Sequence, residues 1–478
     1  MKQLSLSIFF LIALSGCRKY LEPPLPIGTI AASSAFSNDA TAGGVLTGVY
    51  GVLFEQADFD AINGVGGVTG LYSDELQNQI TIIPDFQEVY QNEVNSAEYL
   101  VTTKWTNFYG QLYSINLAIE GLTPATGLSY RNQWLGEAYF MRGLLYFYLT
   151  NLYGDVPLVL SSNYLINNTL ARSSQADVYK QIVADLLQAQ SLLDSTYHDG
   201  NGQVTTDKGR PDQAAATALL ARVYLYTGDW KDAETQASSL IGGTGGYQLV
   251  NLSQAFLINN AELIWGLEPY VGLNSYSYDV KDTRSYILAN GVTPASAFIF
   301  ATMSDSLVNA FEPGDARFTN WVGTDTVAAS GSTPMTVCYY AYKYKANGTY
   351  TGPQETVVLF RLGEQYLIRA EARAEQNNLG GALADLNAIR ARAGLPASTA
   401  VSQADVLAAI QRERRVELFL EEGHRFFDLR RTGALNALMN TIVPQKGGSG
   451  WASFMEWWPI PVNDIQNDTH LSQTPGYE

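Results

Sequence analysis

The chain has 478 residues, 46% of them hydrophobic and 12% aromatic, with 29 Tyr and only 16% charged residues. Such a composition buries a sizeable core and excludes a disordered polyelectrolyte. The formal net charge of −17 excludes a nucleic-acid binder, which needs excess Lys and Arg to displace counterions, and gives no attraction to anionic head groups.

The first 16 residues place one Lys before an apolar run from Leu4 to Leu14, followed by small residues. That run is too short to cross ~30 Å of hydrocarbon and reads as a signal peptide. Leu14-Ser15-Gly16-Cys17 has the form of a lipobox, whose chemistry needs a thiol to accept the diacylglyceryl group. Cys17 is therefore the expected lipidation site, and several acyl chains give stable anchoring. Residues 17–30, with Pro23, Pro24 and Pro26, read as an extended tether. One further cysteine, Cys338, leaves no intrachain disulfide once Cys17 is modified.

From 31 onward the chain reads as one domain. Val45, Leu46, Val49, Val52 and Leu53 recur at helical spacing within 38–56. The glycine-rich stretch 63–70 interrupts this as a turn-rich loop. Helical periodicity returns over 97–121, 130–152 and 173–193, the last opened by the N-cap oxygens of Ser173 and Ser174. The segment 212–240 carries Ala221, Tyr224, Gly228, Trp230 and Ala233 at the spacing of a tetratricopeptide hairpin. A second such unit, 361–393, has Ala370, Ala382 and Leu386 at matching offsets but lacks the Tyr and the turn Gly. The fold expected is mostly α, a cradle of tetratricopeptide-like hairpins. A loop-rich, aromatic-rich insertion over about 242–359 would form its ligand face.

Motif chemistry for catalysis is missing: there is no nucleophile elbow, zinc-protease pair or phosphate loop. Asp199-Gly-Asn-Gly-Gln begins like a calcium loop, but Arg210 stands where a bidentate Glu is required. Glu422, Arg425 and Asp428 fall at i, i+3 and i+6, a spacing for ion pairs along one helix. Interleaved with Phe419, Phe426 and Phe427, they read as a structural network rather than an acid/base pair. No metal, cofactor or catalytic residue is expected.

Six blocks in order resemble one family. Cys17-Arg-Lys-Tyr-Leu-Glu-Pro-Pro is similar to its lipobox and tether, and the run from Ala138 through Gly154-Asp155-Val156-Pro157 to its early helix and turn. The helix around Ala215 to Gly228, and Arg361-Leu-Gly-Glu-Gln-Tyr-Leu-Ile-Arg-Ala-Glu-Ala with Leu386-Asn-Ala-Ile-Arg, follow. Then come Arg412-Glu-Arg-Arg-Val-Glu-Leu-Phe-Leu-Glu-Glu-Gly-His-Arg-Phe-Phe-Asp-Leu-Arg-Arg and the ending Pro459-Ile-Pro-Val-Asn-Asp-Ile with Gln473-Thr-Pro-Gly-Tyr. Together they resemble the SusD/RagB family of outer-membrane nutrient-binding lipoproteins. The resemblance implies a surface-exposed, lipid-anchored protein of the outer membrane that binds glycans without catalysis. It would deliver them to a SusC-like TonB-dependent transporter. Peptide uptake, a glycan hydrolase and a scaffold lipoprotein are the alternatives.

Flat aromatic rings with amide or carboxylate acceptors suit a sugar, whose ring faces are apolar and whose rim is hydroxylated. On that chemistry, and because the family draws its contacts from the early loop and the insertion, the candidate ligand residues are Tyr72, Asp74, Tyr90, Tyr270, Tyr276, Tyr278 and Trp321.

Overall fold

The computed structural model describes residues 32–80, 82–243, 245–269, 280–287, 299–327, 336–346 and 352–478. The expected signal peptide and tether, with Cys17, lie outside these, as do Tyr270, Tyr276 and Tyr278. The fold is mostly helical.

The N-terminal half supplies α1 (Asp39–Glu55), α2 (Val65–Tyr72), β1 (Leu76–Asn78), α3 (Pro84–Gln91), α4 (Tyr99–Leu122), α5 (Arg131–Tyr153), the short α6 (Tyr164–Asn167), α7 (Gln175–Leu192), α8 (Gln213–Thr227) and α9 (Trp230–Leu240). The insertion carries β2 (Leu263–Leu267), β3 (Ala301–Met303), α10 (Ala316–Trp321), β4 (Val322–Val327), β5 (Thr336–Ala341) and β6 (Val357–Arg361). The C-terminal part adds α11 (Leu362–Glu375), α12 (Leu379–Arg392), α13 (Gln403–Glu417), α14 (His424–Arg431), α15 (Leu435–Gln445) and α16 (Val462–Asn467).

Side-chain caps set the helix starts. Asn38 accepts from Thr41 N–H, Ser174 from Asp177 N–H and Asp212 from Ala215 N–H, each satisfying a donor that the first turn leaves unpaired. Gly228 closes α8 in the left-handed conformation at φ 75°. The second hairpin has no glycine there; Asn377, at φ 63°, makes its turn between α11 and α12.

Neighbouring helices pack in sequence: α4 on α5, α5 on α7, α7 on α8 and α8 on α9. The stack then jumps the insertion, because α9 packs directly on α11, which packs on α12 and α13. Small side chains permit that junction: Ala221, Ala233 and Ala237 form one cluster with Leu225, Ile368 and Ala372. Arg373 of α11 reaches across it to Glu234 of α9 at 2.8 Å. Two units distant in sequence are thus consecutive in space.

The insertion is pinned at its base. Strands β2 and β6 pair antiparallel, Leu263 opposite Arg361 and Leu267 opposite Val357, and every residue of both is buried. Within it, β3 pairs with β1 of the early segment, and β4 pairs with β5 in register from Val322–Ala341 to Val327–Thr336. Strand β3 also contacts β5. The early segment and the insertion therefore share one patch of short strands, more regular than the loop expected from the composition.

Two further expectations are corrected. The stretch 63–70 is not a turn-rich loop but the start of α2, buried throughout. Its glycines serve close approach: a Cβ on Gly66 would run into the Leu420 carbonyl and one on Gly67 into the backbone of Ile62. Tertiary packing here outweighs the low helix propensity of Gly. The run 412–431 is not one helix either. Positive φ at Leu420, Glu422 and Gly423 breaks it between α13 and α14, so Glu422 does not share a helical face with Arg425 and Asp428.

Candidate functional site

The C-terminal charges form a buried framework. Asp428 accepts from Arg414 at 2.7 Å and Arg431 at 2.8 Å, and Arg431 also grips Glu371. Arg361, at the end of β6, holds Glu262, Glu417 and Glu421 at 3.0, 2.5 and 2.7 Å. Burial alone would raise the Glu417 carboxyl, but the guanidinium charges of Arg392, Arg361 and Arg317 hold it well below the usual range. Carboxylates locked this way by several cations are poor proton donors, and their role is to fasten the insertion to α13.

Three expected ligand residues belong to this framework or to the core. Asp74 is 2% exposed. It accepts from Arg415 at 2.6 Å, Arg425 at 2.8 Å and Ser306 at 3.0 Å. Burial pushes its pKa up, yet the hydrogen bond and charge of Arg425 and the charge of Arg415 prevail and hold it at about 2. Tyr72 is wholly buried, edge-on to Phe426, Trp451 and Trp458, and donates its hydroxyl to the Met455 carbonyl at 2.9 Å. Trp321 is wholly buried too, donating its indole N–H to the Leu252 carbonyl at 2.9 Å, with the Lys343 ammonium 5.1 Å from its ring. With every face occupied, none of the three offers a ligand a surface. The same holds for Trp265, packed on Phe360 and Phe140.

Tyr90 differs. It sits near the end of α3, half-buried, with the Lys446 ammonium 5.0 Å from its ring. Burial pulls that lysine down to about 7.

The hairpin β4–β5 presents what the composition promised. Tyr340 and Tyr342 stand two residues apart, on one face of an extended segment, both partly exposed. Their rings meet edge to face with centroids 5.9 Å apart. The Lys345 ammonium lies 5.3 Å from the Tyr342 ring. Tyr340 faces Gly323 across the hairpin, and a Cβ on Gly323 would overlap its ring. The glycine thus lets the ring lie down over the neighbouring strand. Behind this pair, Tyr339 packs on Phe318 at 5.7 Å and braces the hairpin against α10. With their planes at 86°, the half-open pair and the adjacent ammonium form a corner in which one ring face can stack on the apolar face of a sugar while hydroxyl and ammonium groups meet its rim. The sequence signal was the alternation Tyr340, Tyr342, Tyr344, whose period of two marks a strand. The third member, Tyr344, is buried, and its hydroxyl accepts from the Val358 N–H at 3.0 Å.

Burial and the Asp325 carboxylate raise the Cys338 thiol above its ordinary value. Asp199 of the calcium-like loop accepts from the backbone N–H groups of Asn201 and Gln203, at 2.8 and 2.9 Å, in a tight turn. Arg210 pairs with Glu137 at 2.7 Å. Among the described residues no cluster of three or more His, Cys, Asp or Glu is arranged for a metal, and no helix is long and apolar enough to cross a membrane.

Two family models match, one described as the SusD family over residues 327–477, the other as starch-binding associating with outer membrane over residues 69–225. The chain belongs to the SusD family. It is 25% identical to SusD-like protein P38 of Formosa agariphila, over 82% of this chain and 83% of that one. It is 27% identical to starch-binding protein SusD of Bacteroides thetaiotaomicron, over 75% of each. A laminarin-binding SusD-like protein of known structure superposes with a TM-score of 0.74 at 25% identity, covering 92% of this chain and all of its own. The family assignment accords with the helical-repeat core and places the chain in a group associated with the outer membrane.

Proposed function

We propose that this SusD-family chain is a non-catalytic glycan-binding lipoprotein of the outer-membrane surface. It captures oligo- or polysaccharide on the strand patch of its insertion and yields it to a SusC-like TonB-dependent transporter. The observation that carries this reading is the partly exposed Tyr340–Tyr342 pair beside Lys345, rigidly mounted on a hairpin whose base is buried. Tyr90, and Tyr270, Tyr276 and Tyr278 of the same insertion, remain its proposed companions. The relatives named for starch and laminarin support a glycan over a peptide. Anchoring would come from acylated Cys17.

The arginine-held carboxylates of the framework support binding without turnover. A glycosidase needs two acids free to exchange protons, whereas Glu417, Glu421 and Asp74 are each held by arginines. Native electrophoresis of the purified protein through gels containing laminarin, amylopectin or other soluble glycans tests the reading. Retardation is expected with at least one glycan and should weaken in Tyr340→Ala/Tyr342→Ala. Release of reducing ends from the retaining glycan, or binding to peptides with no glycan retained, would sink it.

A further inference from the structure

A second aromatic cleft lies apart from the hairpin and shares no residue with it. Its floor is one face of α4, where Thr106, Tyr109 and Tyr113 recur at i, i+3 and i+7. One wall is the segment 157–170 with α6, and the other is α16 and the residues after it. The cleft encloses about 390 Å³, at the small end of the roughly 300–1,000 Å³ range of ligand pockets.

The walls are built, not draped. Tyr109 donates to the Pro157 carbonyl at 2.9 Å. Asn116 and Tyr146 both donate to the Val159 carbonyl, each at 2.9 Å, and the Val159 N–H donates to the Tyr146 hydroxyl at 2.7 Å. Ser162 is held through its N–H and hydroxyl by Glu120. Arg172 ties this wall to the opposite one through the Gln473 carbonyl at 3.1 Å. Opposite, the Trp105 side chain hydrogen-bonds the Asp464 carboxylate, whose pKa burial raises.

Into this fixed frame project open ring faces and spare acceptor lone pairs, on side chains whose other atoms hold the walls, as Asn167 Nδ2 holds the Ser161 carbonyl at 2.8 Å. Tyr113 is 50% exposed and Tyr164 is 70% exposed, so both keep ring surface open to a ligand entering the cleft. Asn167 lines the cleft with a buried Oδ1 that accepts no hydrogen bond among the described residues. Buried acceptors are almost always paired, so an orphan one marks a place for a donor from water or ligand. Asp464, Asn467 and Asp468 line the facing wall.

We infer that this cleft is a second saccharide-binding site, in which Tyr113 and Tyr164 stack on the apolar faces of a glycan while Asn167 and Asp464 take its hydroxyls. The lining favours a saccharide over a hydrophobic protein surface because it interleaves rings with amide and carboxylate acceptors. It carries no Lys or Arg for an anionic ligand. The inference rests on the glycan-binding reading but on different residues, so a long chain could engage both sites and gain by linkage.

The test compares wild type, Tyr113→Ala/Tyr164→Ala, Tyr340→Ala/Tyr342→Ala and the combined variant by affinity electrophoresis in laminarin and amylopectin gels. The cleft rings are exposed, so their loss leaves folding intact, and a thermal melt verifies this. An Asn167→Leu variant removes the acceptor together with the Nδ2 bond to the Ser161 carbonyl; it gives a second reading alongside its own thermal melt. Expected are about tenfold weaker binding for the cleft variant, equivalent to about 1.4 kcal/mol, and complete loss only in the combined variant. A cleft variant and Asn167→Leu both retarded like wild type, with the hairpin variant alone defective, overturn the cleft and leave the proposed function standing. Cleft variants alone defective support the cleft and overturn the hairpin assignment. No retardation of wild type by any glycan overturns both.

Discussion

Arg222 of α8 and Glu364 of α11 meet in a two-pronged ion pair at 2.7 and 2.8 Å, each side chain 1% exposed. The same guanidinium donates to the Tyr148 hydroxyl at 3.0 Å and to the Leu359 carbonyl at 2.8 Å. One side chain therefore joins α5, the two helical units and the closing strand of the insertion. Replacing one partner strands the other charge in the core. Arg222→Met and Glu364→Leu should each lower unfolding free energy by about 3–5 kcal/mol, measured by urea denaturation. The double variant should recover much of the loss. Additive losses would mean that the pair is not the junction.

Glu75 gives the fold a pH slope. Burial, then the neighbouring Asp74 charge, pushes its pKa up to about 7, outweighing the charges of Arg425 and Arg415 and a long hydrogen bond from Leu420 N–H at 3.4 Å. The unfolded chain releases this proton near pH 4.3, while the native state keeps it. Between those values the folded form binds more protons, so stability falls as pH rises. Urea midpoints should drop from pH 5 to pH 7. Glu75→Gln should flatten the slope by up to about 1.4 kcal/mol per pH unit. An unchanged slope would place the titration elsewhere.

On the proposed reading, acylation of Cys17 sets where the protein resides. Cys17→Ser removes the thiol proposed to accept lipid, leaving an acidic protein with no electrostatic attraction to the membrane. In the producing bacterium the variant should lose incorporation of labelled fatty acid and leave the membrane fraction. Persistence of the variant in that fraction would require some other anchor.

What the sequence revealed depended on how local its signal was. Helix ends at Asn38, Ser174 and Asp212, and the hairpin turn at Gly228, follow from residues a few positions apart. The junction of α9 with α11 was hidden because alanine pairs distant in sequence create it. Tyr72, Asp74 and Trp321 read as ligand residues because a buried aromatic and an exposed one look alike in a linear string. Asp74 in particular became structural only when Arg415 and Arg425 arrived from the far end of the chain. The glycines of α2 misled for a similar reason, since the backbone that Gly66 admits belongs to residues 420–422, far along the chain.

The hairpin platform makes its own prediction through Gly323. The Tyr340 ring lies where a side chain on the opposing strand would stand, so its orientation depends on that position being bare. Gly323→Val suits a strand by propensity but must lift the ring. Glycan retention should weaken by about as much as in Tyr340→Ala, with the melting temperature little changed. In a Tyr340→Ala background the valine should add nothing, because the ring it displaces is gone; a double-mutant cycle reads this coupling directly. Equal losses in both backgrounds would mean that Gly323 acts through the fold and not through the ring.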